Sequence, residues 1–185
     1  MSALGHHKVP FIATQRLILE PLTAGHAAAL FAPLSDPALY AFLPGEPPVS
    51  TDALRERYQR LEARRSPDGN ELWLNWAGRQ HNGRYVGLVE ATVHADATAH
   101  VAYFVFGAFQ RQGFAAETVG AVLRHLQNDV GVRQARALLD TRNEASWRLL
   151  EQLGFRRDRL IKNADQFKGA SSDEYEYVCD MGAIV

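Results

Sequence analysis

Three polar side chains and a glycine stand where an apolar run gives way to a helical pattern: Gln110, Arg111, Gln112 and Gly113, inside VAYFVFGAFQRQGFAAETVGAVLRHL (residues 101–126). A helix N-terminus leaves backbone N–H groups without partners and carries the positive end of the helix dipole. A phosphate satisfies both. Gly113 removes a Cβ where the anion has to come close, and Ala115 and Ala116 keep the first helical turn thin. Arg111 adds a full charge, and the two glutamines add amide donors. Taken alone, the turn fits an ordinary strand-to-helix loop equally well. Neither a Walker-type loop, Gly-x-x-x-x-Gly-Lys-Ser/Thr, nor a Gly-x-Gly-x-x-Gly fingerprint occurs in the chain.

Proton chemistry has fewer candidates. Glu90 interrupts the apolar run VGLVEATV, so it either faces solvent or lines a cleft; its apolar neighbours favour the cleft. His100 titrates near neutrality without any shift, and a strand-edge surface position suits it equally. Ser146 reads as a first-turn helix residue or as a hydroxyl acid, and Asn143 as an N-cap that is still free to touch a ligand. The lone Cys179 has no histidine at a spacing that would make it a nucleophile and reads as a small buried apolar group. Seven histidines show no metal-ligand spacing, so no metal is expected.

These residues need a frame. RLILEPL (16–22) alternates as a strand, and Thr23 caps a helix with Ala27, Leu30, Phe31 and Leu34 on one face. Pro37 opens a further helical turn, and 44–48 is a loop. Ser50 or Thr51 caps an amphipathic helix to about 65, with Leu54, Tyr58 and Leu61 as its stripe. Strands follow at 71–77, 84–93 and 99–106, separated by turns at 79–84 and 94–98. Next come a helix at 115–128, a strand at 134–140, a helix at 144–153 stopped by Gly154, and strands at 155–161 and 175–181. Hairpins first and β-α-β-α-β later predict an α+β fold with one mixed sheet.

Composition bounds the rest. The 185 residues suit one domain: a flexible leader over 1–8 and a single domain over 9–185. A formal net charge of −1 gives no field for nucleic acid. No stretch reads as a membrane span or a signal peptide, and one cysteine excludes an internal disulfide, which fits a reducing, cytoplasmic compartment.

The order of these elements resembles the GNAT acetyltransferase superfamily. QRQGFA fits its Gln/Arg-x-x-Gly-x-Gly/Ala motif with Ala115 in the last place, and HVAYFVF resembles its central strand. LDTRNEASWRLLEQLGFRRD resembles its second motif. The opening ATQRLILEPLTAGHAAALFAPLSDPALYAFLP resembles the branch that acetylates N-termini of ribosomal proteins. The likeness runs from about 9 to 182. It implies a mixed, mainly antiparallel sheet with helices on both faces, splayed at the cofactor strand. It implies acetyl-CoA as cosubstrate and an amine acceptor, either a small molecule or a protein N-terminus, and it is compatible with a homodimer. Carried over, Gln110, Arg111, Gln112, Gly113, Phe114 and Ala115 hold the pyrophosphate, with Ala116 behind them; Tyr103, Phe104 and Val105 face the pantetheine arm, and Asn143 reaches it. Ser146 matches a position assigned to protonating the departing thiolate, and Glu90 or His100 is left as the base. Where this branch often has Glu in AEIGY, this chain has His100 in AHVAY. An acyl-CoA-binding sensor without turnover would keep the phosphate turn but needs no proton acceptor, so Glu90, His100 and Ser146 favour an enzyme.

Overall fold

Alternation of apolar and polar residues builds the sheet, and helix caps place the turns between its strands. The computed structural model describes residues 8–183, so all of the expected leader except Lys8 lies outside the described residues. The elements run β1 (Ile12–Ala13), β2 (Leu17–Pro21), α1 (Ala27–Leu34), α2 (Thr51–Leu61), β3 (Glu71–Gln80), β4 (Tyr85–His94), β5 (Thr98–Val105), α3 (Phe114–His125), β6 (Gln134–Asp140), α4 (Glu144–Gln152), β7 (Arg156–Phe167) and β8 (Ala170–Asp180). All eight strands form one sheet in the order β1-β2-β3-β4-β5-β6-β8-β7. Every pairing is antiparallel except β5 with β6.

The two faces of the sheet carry different helices. Trp76 of β3 is fully buried and meets the ring of His125 in α3 edge-on, so α3 lies on that face. Neighbouring residues on a strand point to opposite sides. Asn75 and its register partner Glu90 therefore face the other way, where Glu90 meets Arg57 of α2. Leu88 and Phe104 share this second face. Gly87 lets β4 and β5 close: a Cβ there would stand 2.0 Å from the Phe104 carbonyl oxygen.

β5 and β6 pair over three residues only, ending at His100 with Arg136. Beyond that, β6 stays with β8 as far as Asp140 opposite Glu174, while β5 continues along β4 to Val105 opposite Gly87. The two parallel strands thus part, and the β6-facing edge of residues 101–105 has no strand partner among the described residues. Tyr103 sits in the fork and donates its hydroxyl to the Ser146 carbonyl of α4, 3.3 Å away.

Three expectations need correction. The strands expected at 155–161 and 175–181 are one long hairpin, β7–β8, turned by Lys168 (φ 52°) and Gly169 (φ 75°), and β8 rather than β7 lies next to β6. The hairpin arms are mostly polar and half exposed, so no apolar alternation marks them. The helix expected to reach 65 ends at Leu61, with Arg64 already left-handed (φ 57°). α3 is followed by a π-helical turn, Leu126–Val130, closed by Gly131 at φ 82°.

Candidate active site

Glutamine amides shape the glycine turn from within. Gln110 Nε2 donates to the Val105 carbonyl at 3.0 Å, and Gln112 Nε2 to Ala108 O at 2.9 Å. These amides fasten the turn to itself; they were expected to reach outward. Arg111 and Gly113 both have positive φ, 60° and 80°, so Gly113 is required by its left-handed backbone more than by close approach. Its nearest neighbour beyond the turn is the Arg16 guanidinium, 3.5 Å from where a Cβ would be. Phe114 turns its ring inward against Phe109, so its outward part is backbone. Among the described residues, no acceptor meets the backbone N–H groups of 111–116, while Arg111 is exposed and Ala115 and Ala116 half-buried. An open row of donors at a helix N-terminus is an oxyanion cradle.

A network outside the motif holds this cradle in place. Glu117, in the first turn of α3, accepts from Thr14 Oγ1 (2.7 Å), from the Arg16 backbone N–H (2.7 Å) and from Arg16 Nε (2.6 Å). Burial pushes the Glu117 carboxyl up, but the bonds from Thr14 and Arg16 outweigh it and hold it below the usual glutamate value. Arg16 also donates to Gln112 O (2.9 Å) and lies over the Phe114 ring. Sequence reasoning missed Thr14 and Arg16. Their one local signal was the acidic residue in the helix's first turn, which needed a partner.

On the opposite face, α2 and the turn at Pro37–Tyr40 wall a pocket of about 190 Å³ over β4 and β5. Glu90 is on its floor, with Leu34, Leu54, Leu88, Tyr40 and Phe104 around it. Burial raises the Glu90 pKa above the usual 4.5, and Arg57, with Nη2 3.6 Å from Oε1, opposes that only in part. Among the described residues, two buried polar groups beside it lack hydrogen-bond partners: Tyr58 Oη, in the pocket wall, and Asn75 Nδ2, on the strand next to Glu90. The hairpin tip reaches the pocket wall, where Lys168 Nζ donates to the Tyr40 carbonyl.

The remaining candidates separate. Ala102, next to the fork on the Glu90 face, is exposed and leaves the way to the pocket open. Ser146 and Asn143 stand on the far side of the fork: Asn143 caps α4 by accepting from Ser146 N–H at 3.2 Å, and Tyr103 reaches the Ser146 carbonyl. Tyr103 and Phe104 point to opposite faces, and of the two it is Tyr103 whose backbone groups turn to the fork, since those of Phe104 pair with β4. His100 does not join the pocket. It is partly exposed at the sheet surface, bonds His94 (Nδ1 to Nε2, 3.0 Å), and has its pKa lowered by partial burial and by His94 and Arg136. Cys179 is buried, and its thiol is pushed up by burial and Asp180. Among the described residues no group of three potential ligands could hold a metal, and no helix is long and apolar enough to cross a membrane.

Together these parts offer an anion cradle, a strand edge with free amide groups, and a pocket ending in a carboxylate of raised pKa. Such a series can hold an extended phosphate-bearing ligand and present its far end to a base.

Known proteins share this domain and its fold. The family model of the acetyltransferase (GNAT) domain matches residues 16–156. The uncharacterized N-acetyltransferase YoaA of Bacillus subtilis (strain 168) is 23% identical over 171 residues, covering 91% of this chain and 95% of the relative. A RimL ribosomal L7/L12 alpha-N-protein acetyltransferase in complex with coenzyme A superposes with a TM-score of 0.83 at 19% identity, covering 92% of this chain and 98% of that one. Spermidine N-acetyltransferase from Vibrio cholerae, in complex with CoA and spermine, does so with a TM-score of 0.77 at 18% identity, covering 90% and 96%.

Proposed function

Because the chain belongs to the GNAT acetyltransferase family, we propose that it transfers the acetyl group of acetyl-CoA to a primary amine by direct attack. The observation that carries this reading is the parting of β5 from β6 between the open cradle at 111–116 and the Glu90 pocket. The residues fit the cosubstrate: N–H groups at the start of α3 suit its pyrophosphate, and the free edge of 101–105 suits the amide-bearing arm. Acetyl-CoA supplies an activated acetyl thioester.

The chain's own groups do the rest. The backbone N–H groups of Tyr103 and Val105, which alternate away from β4 towards the fork, polarise the thioester carbonyl. Glu90, made more basic than an ordinary glutamate by burial, takes the proton from the acceptor's ammonium group. The amine nitrogen then bonds to the acetyl carbon as the carbon–sulfur bond breaks, and the Ser146 hydroxyl gives the departing sulfur its proton. Cys179 has no part, since it is buried with a raised pKa. The likeness to RimL and the chain's opening favour a protein N-terminus as acceptor, whereas the small charged pocket over Glu90 favours a small amine.

The experiment is release of free thiol from acetyl-CoA in the presence of primary amines, with the acetylated amine identified by mass spectrometry. Thiol release matched by acetylated amine supports the reading. Coenzyme A binding without thiol release would instead make the protein a binding module.

A further inference from the structure

Building on the acetyl-transfer reading, we propose that the acceptor is a small primary amine that also carries an anionic group, a carboxylate or phosphonate, held by Arg57 and Arg60 beside Glu90. Both arginines come from α2 and line the pocket, together with Glu46 and Glu90. Arg60 has no acidic partner among the described residues, and Arg57 meets Glu90 only at 3.6 Å, beyond hydrogen-bond distance. The pocket of about 190 Å³ falls below the roughly 300–1,000 Å³ of sites for drug-sized ligands. Its walls are apolar or aromatic apart from these charges and the partnerless Tyr58 Oη.

The charges decide which amine suits this site. An acceptor with a cation alone would draw Glu90 away from Arg57 and leave two guanidinium groups unanswered. An acceptor with both charges replaces one loose ion pair by two: its ammonium faces Glu90 and its anion faces Arg57, with Arg60 alongside. The anion also serves the proton transfer. Arg57 opposes protonation of Glu90, and an anion bound to Arg57 offsets that effect at the moment Glu90 must accept a proton. A long polycation gains from Glu46 and Glu90 but must pass both arginines.

Thiol release from acetyl-CoA is measured with L-amino acids, the matching L-amino acid amides, aminoalkylphosphonates and spermidine, each compared per unit of neutral amine. The anionic acceptors are expected to exceed the amides in kcat/KM by about 10- to 100-fold, the range of one or two charge-assisted contacts. The carboxylate and phosphonate arms tell which anion is the better fit. Arg57→Gln and Arg60→Gln should pull the ratio of amino acid to amide towards one, chiefly through KM, and Arg57→Lys should restore part of it. Amides or spermidine used as well as amino acids would overturn the proposal and leave acetyl transfer standing. So would an Arg57→Gln loss that is equal for amino acids and amides, because Arg57 would then serve only as a counter-ion to Glu90. Thiol release with none of the four classes also overturns it, and if CoA fails to bind by calorimetry the acetyl-transfer reading falls with it.

Discussion

At the scale of residues, one side chain carries the most. Glu90 is a carboxylate kept in a largely apolar pocket, and its raised pKa has two consequences of opposite sign. As a base it should be worth roughly two orders of magnitude in turnover, so Glu90→Gln should lose about that much while coenzyme affinity stays, and the acidic limb of the pH–rate profile should flatten. For stability the sign is reversed. The folded state binds the Glu90 proton more tightly than the unfolded chain, whose pKa is near 4.5, so a penalty that is absent well below 4.5 grows as pH rises through the folded value. Glu90→Gln should therefore melt higher than the parent protein at pH 7, with the gain vanishing near pH 4. A variant that loses turnover and is also less stable at pH 7 would contradict the site. The sequence pointed to Glu90 because one charge broke an apolar strand. It could not separate His100 in the same way, since both lie on one face of the sheet and only the third dimension puts His100 with His94 and outside the pocket. Nor could it show Arg57, whose place over Glu90 depends on how α2 crosses β4.

At the scale of elements, the N-terminus of α3 is the proposed binding device. Its motif was legible because glycine at a strand-to-helix junction has a local cause, the left-handed backbone at φ 80°. What holds the motif was not legible. Thr14 and Arg16 lie about a hundred residues upstream of Glu117, and no local pattern links them. Gly113→Val forces a β-branched residue into a conformation it rarely adopts, and should weaken coenzyme A binding at least about tenfold, the scale of one lost charge-assisted contact, as read by calorimetry. Arg16→Ala should weaken binding less, since it removes a brace, the side-chain contacts to Glu117, Gln112 and Phe114, and leaves the glycine turn's own backbone unchanged. Unchanged affinity in both folded variants would remove the cradle. The β7–β8 hairpin was the element least visible beforehand. Its length comes from pairing with β6 on one side and from a Lys–Gly turn, while its polar composition reads as loop.

At the scale of the whole molecule, the fold is a single sheet built to come apart at one seam. The mixed sheet with helices on both faces was readable because each hairpin and crossover has its own turn and periodicity. The strand order β6-β8-β7 was not, because pairing between distant strands leaves no local trace. Asp140, buried at the end of β6, steadies the seam. It accepts from Arg142 Nε (2.8 Å), the Arg142 backbone N–H (2.8 Å) and Ser172 Oγ (2.6 Å), joining β6, the loop into α4 and β8. The Arg142 bond, ahead of those from Ser172 and the backbone, lowers its pKa from 3.8 to about 2. Its contribution is thus present above pH 3.8 and lost as pH falls towards 2, on the order of 1–2 kcal/mol. Asp140→Asn should lower Tm at pH 7, and the difference should narrow below pH 4. The seam itself is tested most directly by a crystal structure of the protein with coenzyme A. The account predicts the pyrophosphate on the N–H groups of 111–116, the arm along 101–105 between β5 and β6, and the thiol end facing Ser146 and the Glu90 pocket. Coenzyme A bound elsewhere, with the gap between β5 and β6 empty, would contradict it.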